Sequence, residues 1–147
     1  MRYVSLRSTV NTGECDENAH MNVQFYFAKF DDADRVLRSQ FSLPTLTRAA
    51  RKTRHVRYHR EAAAAAMLAV RSAIVLRNGA AVAVVHKMTN EPNRFVMATA
   101  LDSYDTGAME RIFKTSKLPF VDWDEISDAH PRGLNLGPAL PVPDNVT

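Results

Sequence analysis

The chain has 147 residues, of which 46% are hydrophobic and 24% charged, ordinary proportions for a single globular domain with its own core. A net charge of +3 is too small to argue for nucleic acid, and Cys15, the one cysteine, excludes both a disulfide framework and a thiolate metal cluster. No apolar run approaches the ~20 residues that span a bilayer, and residues 1–5 lack the apolar core of a signal peptide, so a cytoplasmic location is expected. Residues 3–10 alternate and predict a strand with Val4, Leu6 and Val10 on one face and Tyr3, Ser5 and Arg7 on the other. An acidic turn, residues 14–22, follows. In residues 23–41 Val23, Tyr26, Phe27, Phe30, Ala33, Leu37 and Phe41 recur at helical spacing, with Lys29, Asp31, Asp32, Arg35 and Arg38 off the stripe. Phe25 and Val36 also lie off it, which predicts a helix covered on more than one side. Ser42-Leu43-Pro44 ends the helix, because the residue before proline resists the helical region.

From residue 51 the period becomes two. Residues 51–61 predict a very basic strand, and the alanine run 62–66 favours helix by propensity. Leu68, Val70, Ile74 and Leu76 alternate with Met67, Arg71 and Arg77, and Asn78-Gly79 signals a tight hairpin into a partner strand at residues 80–89. A turn at residues 90–93 leads to a last long strand carrying Phe95, Met97, Thr99 and Leu101. Residues 107–114 read as a short helix or further strand, and residues 122–128 as two helical turns. Gly and Pro dominate after Pro131. The expected class is α+β, one helix covering a mostly antiparallel sheet of five or six strands. The expected division is a domain over residues 1–121 and an irregular tail over 122–147, packed on the domain or on a partner subunit.

Several residues in this order carry chemistry. Asp16 lies in a polar turn just before a helix, where Asn22 is placed to cap and the first helical N–H groups are free. A carboxylate beside unpaired backbone donors is half of an acyl-transfer site; the plainer reading is a turn residue favoured by the helix dipole. Glu14 and Glu17 flank Asp16 as solvated carboxylates or as an acid/base pair, and Cys15 reads as a small buried residue. Asp31, Asp32 and Asp34 read as a solvated helix face. His55 and His59 would be metal-ligand pairs on a helix, but four residues of strand span about 13 Å, too far for one ion, so no metal is expected. Arg48, Arg51, Lys52, Arg54, Arg57 and Arg60 form the densest positive patch, suited to phosphates or to a solvated edge kept basic against aggregation.

The run Cys15-Asp16-Glu17-Asn18-Ala19-His20-Met21-Asn22-Val23, followed by Tyr26, resembles the signature of acyl-CoA thioesterases of the 4-hydroxybenzoyl-CoA thioesterase type. His55-Val56-Arg57-Tyr58-His59-Arg60-Glu61 is similar to the strand after their central helix, and the likeness covers residues 3–104. It implies the hotdog fold, a long helix wrapped by an antiparallel sheet. It also implies a catalytic Asp16 acting as nucleophile or base, the Val23 N–H as oxyanion donor, and supporting roles for His20 and Asn22. Tyr26, Arg54, Arg57, Tyr58 and Arg60 would contact the acyl-CoA, in a site between the subunits of a homodimer or tetramer that needs no cofactor. Two departures stand out. Ala19 replaces a usual glycine, which requires negative φ there, and residues 63–66 replace a Gly-Asp turn. Two other activities stay open on the same signature: a non-catalytic acyl-CoA binder, and a dehydratase acting on hydroxyacyl thioesters.

Overall fold

Eighteen residues, Val23–Gln40, form helix α1, and its best-buried side chains are Tyr26, Phe30, Ala33 and Leu37, one turn apart along a single stripe. The computed structural model describes residues 2–114 and 117–131. The helix is preceded by β1 (Tyr3–Thr9) and followed by β2 (Arg51–Tyr58), β3 (Met67–Arg77), β4 (Ala80–Asn90) and β5 (Val96–Tyr104). A short helix α2 (Thr106–Glu110) and strand β6 (Phe120–Asp122) complete the elements, with 3-10 turns between them. The sheet order is β1-β3-β4-β5-β2, every neighbour antiparallel, and β6 lies parallel to β3 where β1 leaves off. This is the helix-and-wrapping-sheet arrangement that the hotdog reading implies.

Each local signal has an identifiable outcome. Asn78 and Gly79 both take positive φ, 52° and 79°, as a type I′ turn requires, and Arg77 pairs with Ala80 across it. At the end of α1 Ser42 adopts φ 54° and the Leu43 N–H returns to the Arg38 carbonyl at 2.9 Å, so a left-handed stop precedes Pro44. In β1 the expected facing is interrupted. The pairing shifts between Val4 and Leu6, a bulge that leaves Ser5 buried and lets Tyr3, on one side of it, and Leu6 and Val10, on the other, all join the core.

The alanine run is not helical. Ala62 is fully buried, Ala65 sits at φ 70°, and the backbone of residues 62–66 is bonded to the loop before α1: Met21 to Ala62, Ala64 to Ala19, and Ala65 to Val10. Long-range backbone pairing overrides a local propensity of a few tenths of a kcal/mol per residue.

The helix stripe also differs from expectation. Val23 and Phe27 are exposed, whereas Lys29 and Asp34 are buried. The Lys29 ammonium donates to Ser8 Oγ at 2.7 Å and pairs with Glu14 at 3.2 Å, tying β1 and the acidic loop to α1. The other face of the sheet is covered by the turn Trp123–Ala129, whose Ile126 and Ala129 pack with Val121 of β6 against Ala73, Val75, Ala83, Val85 and Leu101. The first part of the expected tail thus packs on the domain through Ile126 and Ala129; residues 132–147 lie outside the described residues. Among the described residues no helix is long and apolar enough to cross a membrane.

Candidate active site

The loop between β1 and α1 is closed like a small hairpin. Cys15 bridges Met21, the Asp16 N–H donates to the His20 carbonyl at 2.9 Å, and the Asn22 N–H donates to the Glu14 carbonyl at 2.9 Å. At its tip the Asp16 carboxylate accepts, through Oδ1, the N–H groups of Asn18 (2.9 Å) and His20 (3.1 Å). Asp16 is thus exposed and held in one orientation by its own turn. Ala19, beside it, takes φ 61°. The negative φ required of an alanine at this position is not met.

Asn22 has extended N-cap backbone angles, but its side chain makes no capping hydrogen bond. Val23 opens the helix with 56% of its surface exposed, and among the described residues its N–H makes no backbone hydrogen bond. Val23 is one of the residues lining a recess of about 230 Å³, together with Met21, Tyr26, Tyr58, His59, Arg60 and Glu61. Tyr26 is buried at its wall, its hydroxyl accepts the Ala62 N–H at 3.0 Å, and its ring meets Tyr58 edge to face at 5.2 Å. Burial pushes both phenols above their ordinary value. His20, on the loop, reaches across to Glu61 with Nδ1–Oε2 at 2.8 Å.

The expected substrate arginines separate into two groups. Arg60 stays outside and lies 4.1 Å over the Phe95 ring; it also borders a more open cleft of about 690 Å³ shared with His59, Arg94, Phe95 and Val96. Arg54 is turned into the protein, 5% exposed, with two bonds to Asp102 (2.7 and 2.9 Å) and one to Asp31 (2.7 Å). It does not reach the recess. Arg57 donates to the carbonyls of Ser127 and His130 at 3.0 and 3.3 Å, fastening the segment after β6. The basic strand is therefore partly an internal salt-bridge strand.

Arg54 belongs to a buried polar centre between α1 and the sheet. Asp34 of α1, His86 of β4 and Asp102 of β5 meet there, and Asp34 accepts the Tyr104 hydroxyl (2.9 Å) and Arg38 Nε (3.0 Å). His86 Nε2 faces Asp102 at 3.5 Å and Asp34 at 3.7 Å, distances of charge attraction rather than of well-formed hydrogen bonds. On its other side Nδ1 is 2.6 Å from Ser72 Oγ, Ser72 is 2.6 Å from Ser5 Oγ, and Ser5 donates to the Val70 carbonyl. Ser5 spends its proton on that carbonyl and Ser72 spends its proton on Ser5, so His86 Nδ1 must be a donor. With carboxylates opposite Nε2, the ring is satisfied as imidazolium. Burial pushes the His86 ring down, but the two carboxylates outweigh it and hold the ring above its ordinary value. Burial likewise raises both carboxyls, and the imidazole with Arg54 (for Asp102) and Tyr104 (for Asp34) brings them below the usual range.

Asp34, His86 and Asp102 are the one His/carboxylate grouping compact enough for a single ion among the described residues, their ligand atoms lying within 4.8 Å of one another. Arg54 already occupies both oxygens of Asp102, and Tyr104 and Arg38 occupy Asp34, so the donor set suits a proton better than a divalent ion. This centre was missed by reading Asp34 as solvated. The signal was present: Asp34 falls between Phe30 and Leu37 in the apolar stripe, and His86 and Asp102 sit at inward positions of otherwise apolar strands.

The chain was compared with known proteins. The model of the thioesterase-like superfamily matches residues 10–105, well over half of the chain. Among solved structures, a Pseudomonas putida KT2440 protein provisionally named a thioesterase superposes with TM-score 0.61 at 16% identity, covering 96% of this chain and 98% of that one. Protein SAV2348 from Staphylococcus aureus, solved in complex with CoA, gives TM-score 0.55 at 17% identity over 74% and 83% of the two chains. Slr0204 from Synechocystis, a 1,4-dihydroxy-2-naphthoyl-CoA thioesterase, gives 0.52 at 11% identity over 67% and 77%. At these identities the likeness is one of fold, and the fold is the hotdog. No curated protein matches the chain.

Proposed function

Because the chain belongs to the thioesterase-like superfamily, we propose that it is an acyl-CoA thioesterase of the 4-hydroxybenzoyl-CoA thioesterase type, converting an acyl-CoA and water to free acid and coenzyme A. The observation that carries this reading is the recess lined by Val23 at the start of α1, directly after the loop of Asp16, with a Val23 N–H that makes no backbone hydrogen bond among the described residues. Thioester hydrolysis needs a nucleophile or base on one side of the carbonyl and donors for the developing oxyanion on the other. Asp16 supplies the first role, the Val23 N–H the second. Asn22 positions the helix start through its backbone, and Tyr26 walls the acyl pocket with Tyr58. The phosphates of coenzyme A, anionic and carried at the far end of the substrate, fit Arg60 and its neighbour Arg94, with Phe95 offering an exposed ring.

We place this activity in a cytoplasmic homodimer or tetramer with the site between subunits. Asp16 is not among the residues lining the recess of the single chain, and a second copy laid over the recess and the loop of Asp16 would join the two into one site. The same observation is the one that favours a non-catalytic acyl-CoA binder. Light scattering decides the assembly: a stable folded monomer at micromolar concentration contradicts it. Product analysis decides the reaction. Free thiol and free acid in equal amounts are expected, while an enoyl thioester with no thiol makes the protein a dehydratase.

A further inference from the structure

The structure pairs His20 with a residue 41 positions away, Glu61, and the pairing is set by the backbone. His20 bridges Ala63, the Met21 N–H donates to the Ala62 carbonyl at 2.8 Å, and the Ala64 N–H donates to the Ala19 carbonyl at 2.9 Å. These bonds zip the loop before α1 onto the segment after β2. The zip brings the Glu61 carboxylate to His20 Nδ1 at 2.8 Å, and Glu61 lines the same recess as Val23 and Tyr26. No hydrogen bond engages His20 Nε2 among the described residues, and the side chain is 39% exposed. A carboxylate on one ring nitrogen with the other nitrogen open is the arrangement of an oriented general base.

We propose that His20, positioned by Glu61, is the group that takes the proton of the hydrolytic water, which leaves Asp16 as the nucleophile. This rests on the thioesterase reading above and settles the division of labour within it. Asp16 Oδ1 is committed to the N–H groups of Asn18 and His20, and those bonds aim the carboxylate, leaving Oδ2 as the attacking atom. In the first step an Asp16 oxygen bonds to the acyl carbon, the C–S bond breaks, and coenzyme A leaves as thiolate. In the second, water attacks the acyl carbon of the mixed anhydride as its proton passes to His20 Nε2. The acid departs and the Asp16 carboxylate is restored. His20 then returns its proton to the thiolate or to solvent. Glu61 stabilises the imidazolium that forms in the second step, and it never touches the acyl group.

The test is rapid-quench thiol release from an acyl-CoA by wild type, His20→Gln, Glu61→Gln and Asp16→Asn, with kcat and KM measured for each. His20→Gln is expected to release about one thiol per site and then stall, its steady kcat down ~100-fold with KM little changed, a loss typical of a positioned base. Glu61→Gln is expected to lose kcat in the same direction but by less, with KM again little changed, as a positioning role requires. Glu61→Asp should restore part of the activity. Asp16→Asn should give no burst. Wild type that turns over while both pair variants keep its rate overturns the pair and leaves the thioesterase reading standing. Wild type that binds acyl-CoA without releasing thiol overturns the thioesterase reading itself, and the pair with it.

Discussion

Ala19 and Ala65 hold φ of 61° and 70°, in the region where an L side chain crowds its own backbone. Both lie on the zip that joins the acidic loop to residues 62–66, so the strain is sustained by the long-range hydrogen bonds around it. Left-handed backbone costs an alanine about 1–2 kcal/mol, and glycine's greater unfolded freedom offsets about 0.5–1 kcal/mol of the gain. Ala19→Gly and Ala65→Gly are each expected to stabilise the fold by about 0.5–1 kcal/mol, read as a higher urea midpoint at unchanged m-value. A lower midpoint contradicts the assigned backbone.

His86 makes the second prediction at this scale. Its folded pKa is raised above 6.5, so the stability it contributes is fully present below pH 6.5 and is lost as pH rises through the folded value. Asp34 and Asp102 are depressed below 3.8, so theirs is present above that pH and lost as acid is taken down through their folded values. Unfolding free energy should therefore peak in mildly acidic to neutral solution and fall on both sides. In His86→Gln the alkaline fall should disappear, and the variant should be less stable by about 3–5 kcal/mol at pH 6, the cost of leaving buried carboxylates short of a partner. Chemical denaturation from pH 5 to 9 reads both effects.

At the scale of the element, α1 is fixed at its two ends by different devices. Its C-terminus stops through Ser42 and the Leu43-to-Arg38 bond, while its N-terminus is tied by the Asn22 backbone and by Lys29 reaching Ser8 and Glu14. Since the Asn22 side chain makes no cap bond, Asn22→Ala is expected to cost well under the ~1 kcal/mol usual for a cap. A cost near 1–2 kcal/mol would show that the side chain does cap the helix. Elements of this kind were largely legible in the sequence because their signals are local: the period-3.6 stripe, the Asn78-Gly79 turn, the alternation in β3 to β5. What was not legible depends on partners far along the chain. The β1 bulge follows from pairing with β3, the fold of residues 62–66 from bonds to residues 10, 19 and 21, and the inward turn of Arg54 from Asp102, 48 positions later. The loop of Asp16, His20 and Asn22 was legible as a candidate site because its residues are contiguous. Glu61 was not, since only the folded backbone brings it there.

Across the whole molecule the two faces of the sheet divide the work. One face carries α1 and the buried ionic centre; the other is closed by the turn Trp123–Ala129, whose main-chain carbonyls are held by Arg57 and His59. Arg57→Ala should therefore act on stability, through release of this segment, more than on KM for an acyl-CoA. Arg60→Ala and Arg94→Ala should do the reverse, raising KM with the denaturation midpoint little moved. Equal effects of all three on KM would return Arg57 to the substrate.

The most direct test of the central claim is thiol release from a panel of acyl-CoAs by the wild-type protein and Asp16→Asn. The account predicts robust turnover on at least one acyl-CoA and a loss of ~100-fold or more in the variant, the scale of a positioned catalytic group. Wild-type protein that binds acyl-CoA yet releases no thiol, or an Asp16→Asn variant as active as wild type, contradicts it.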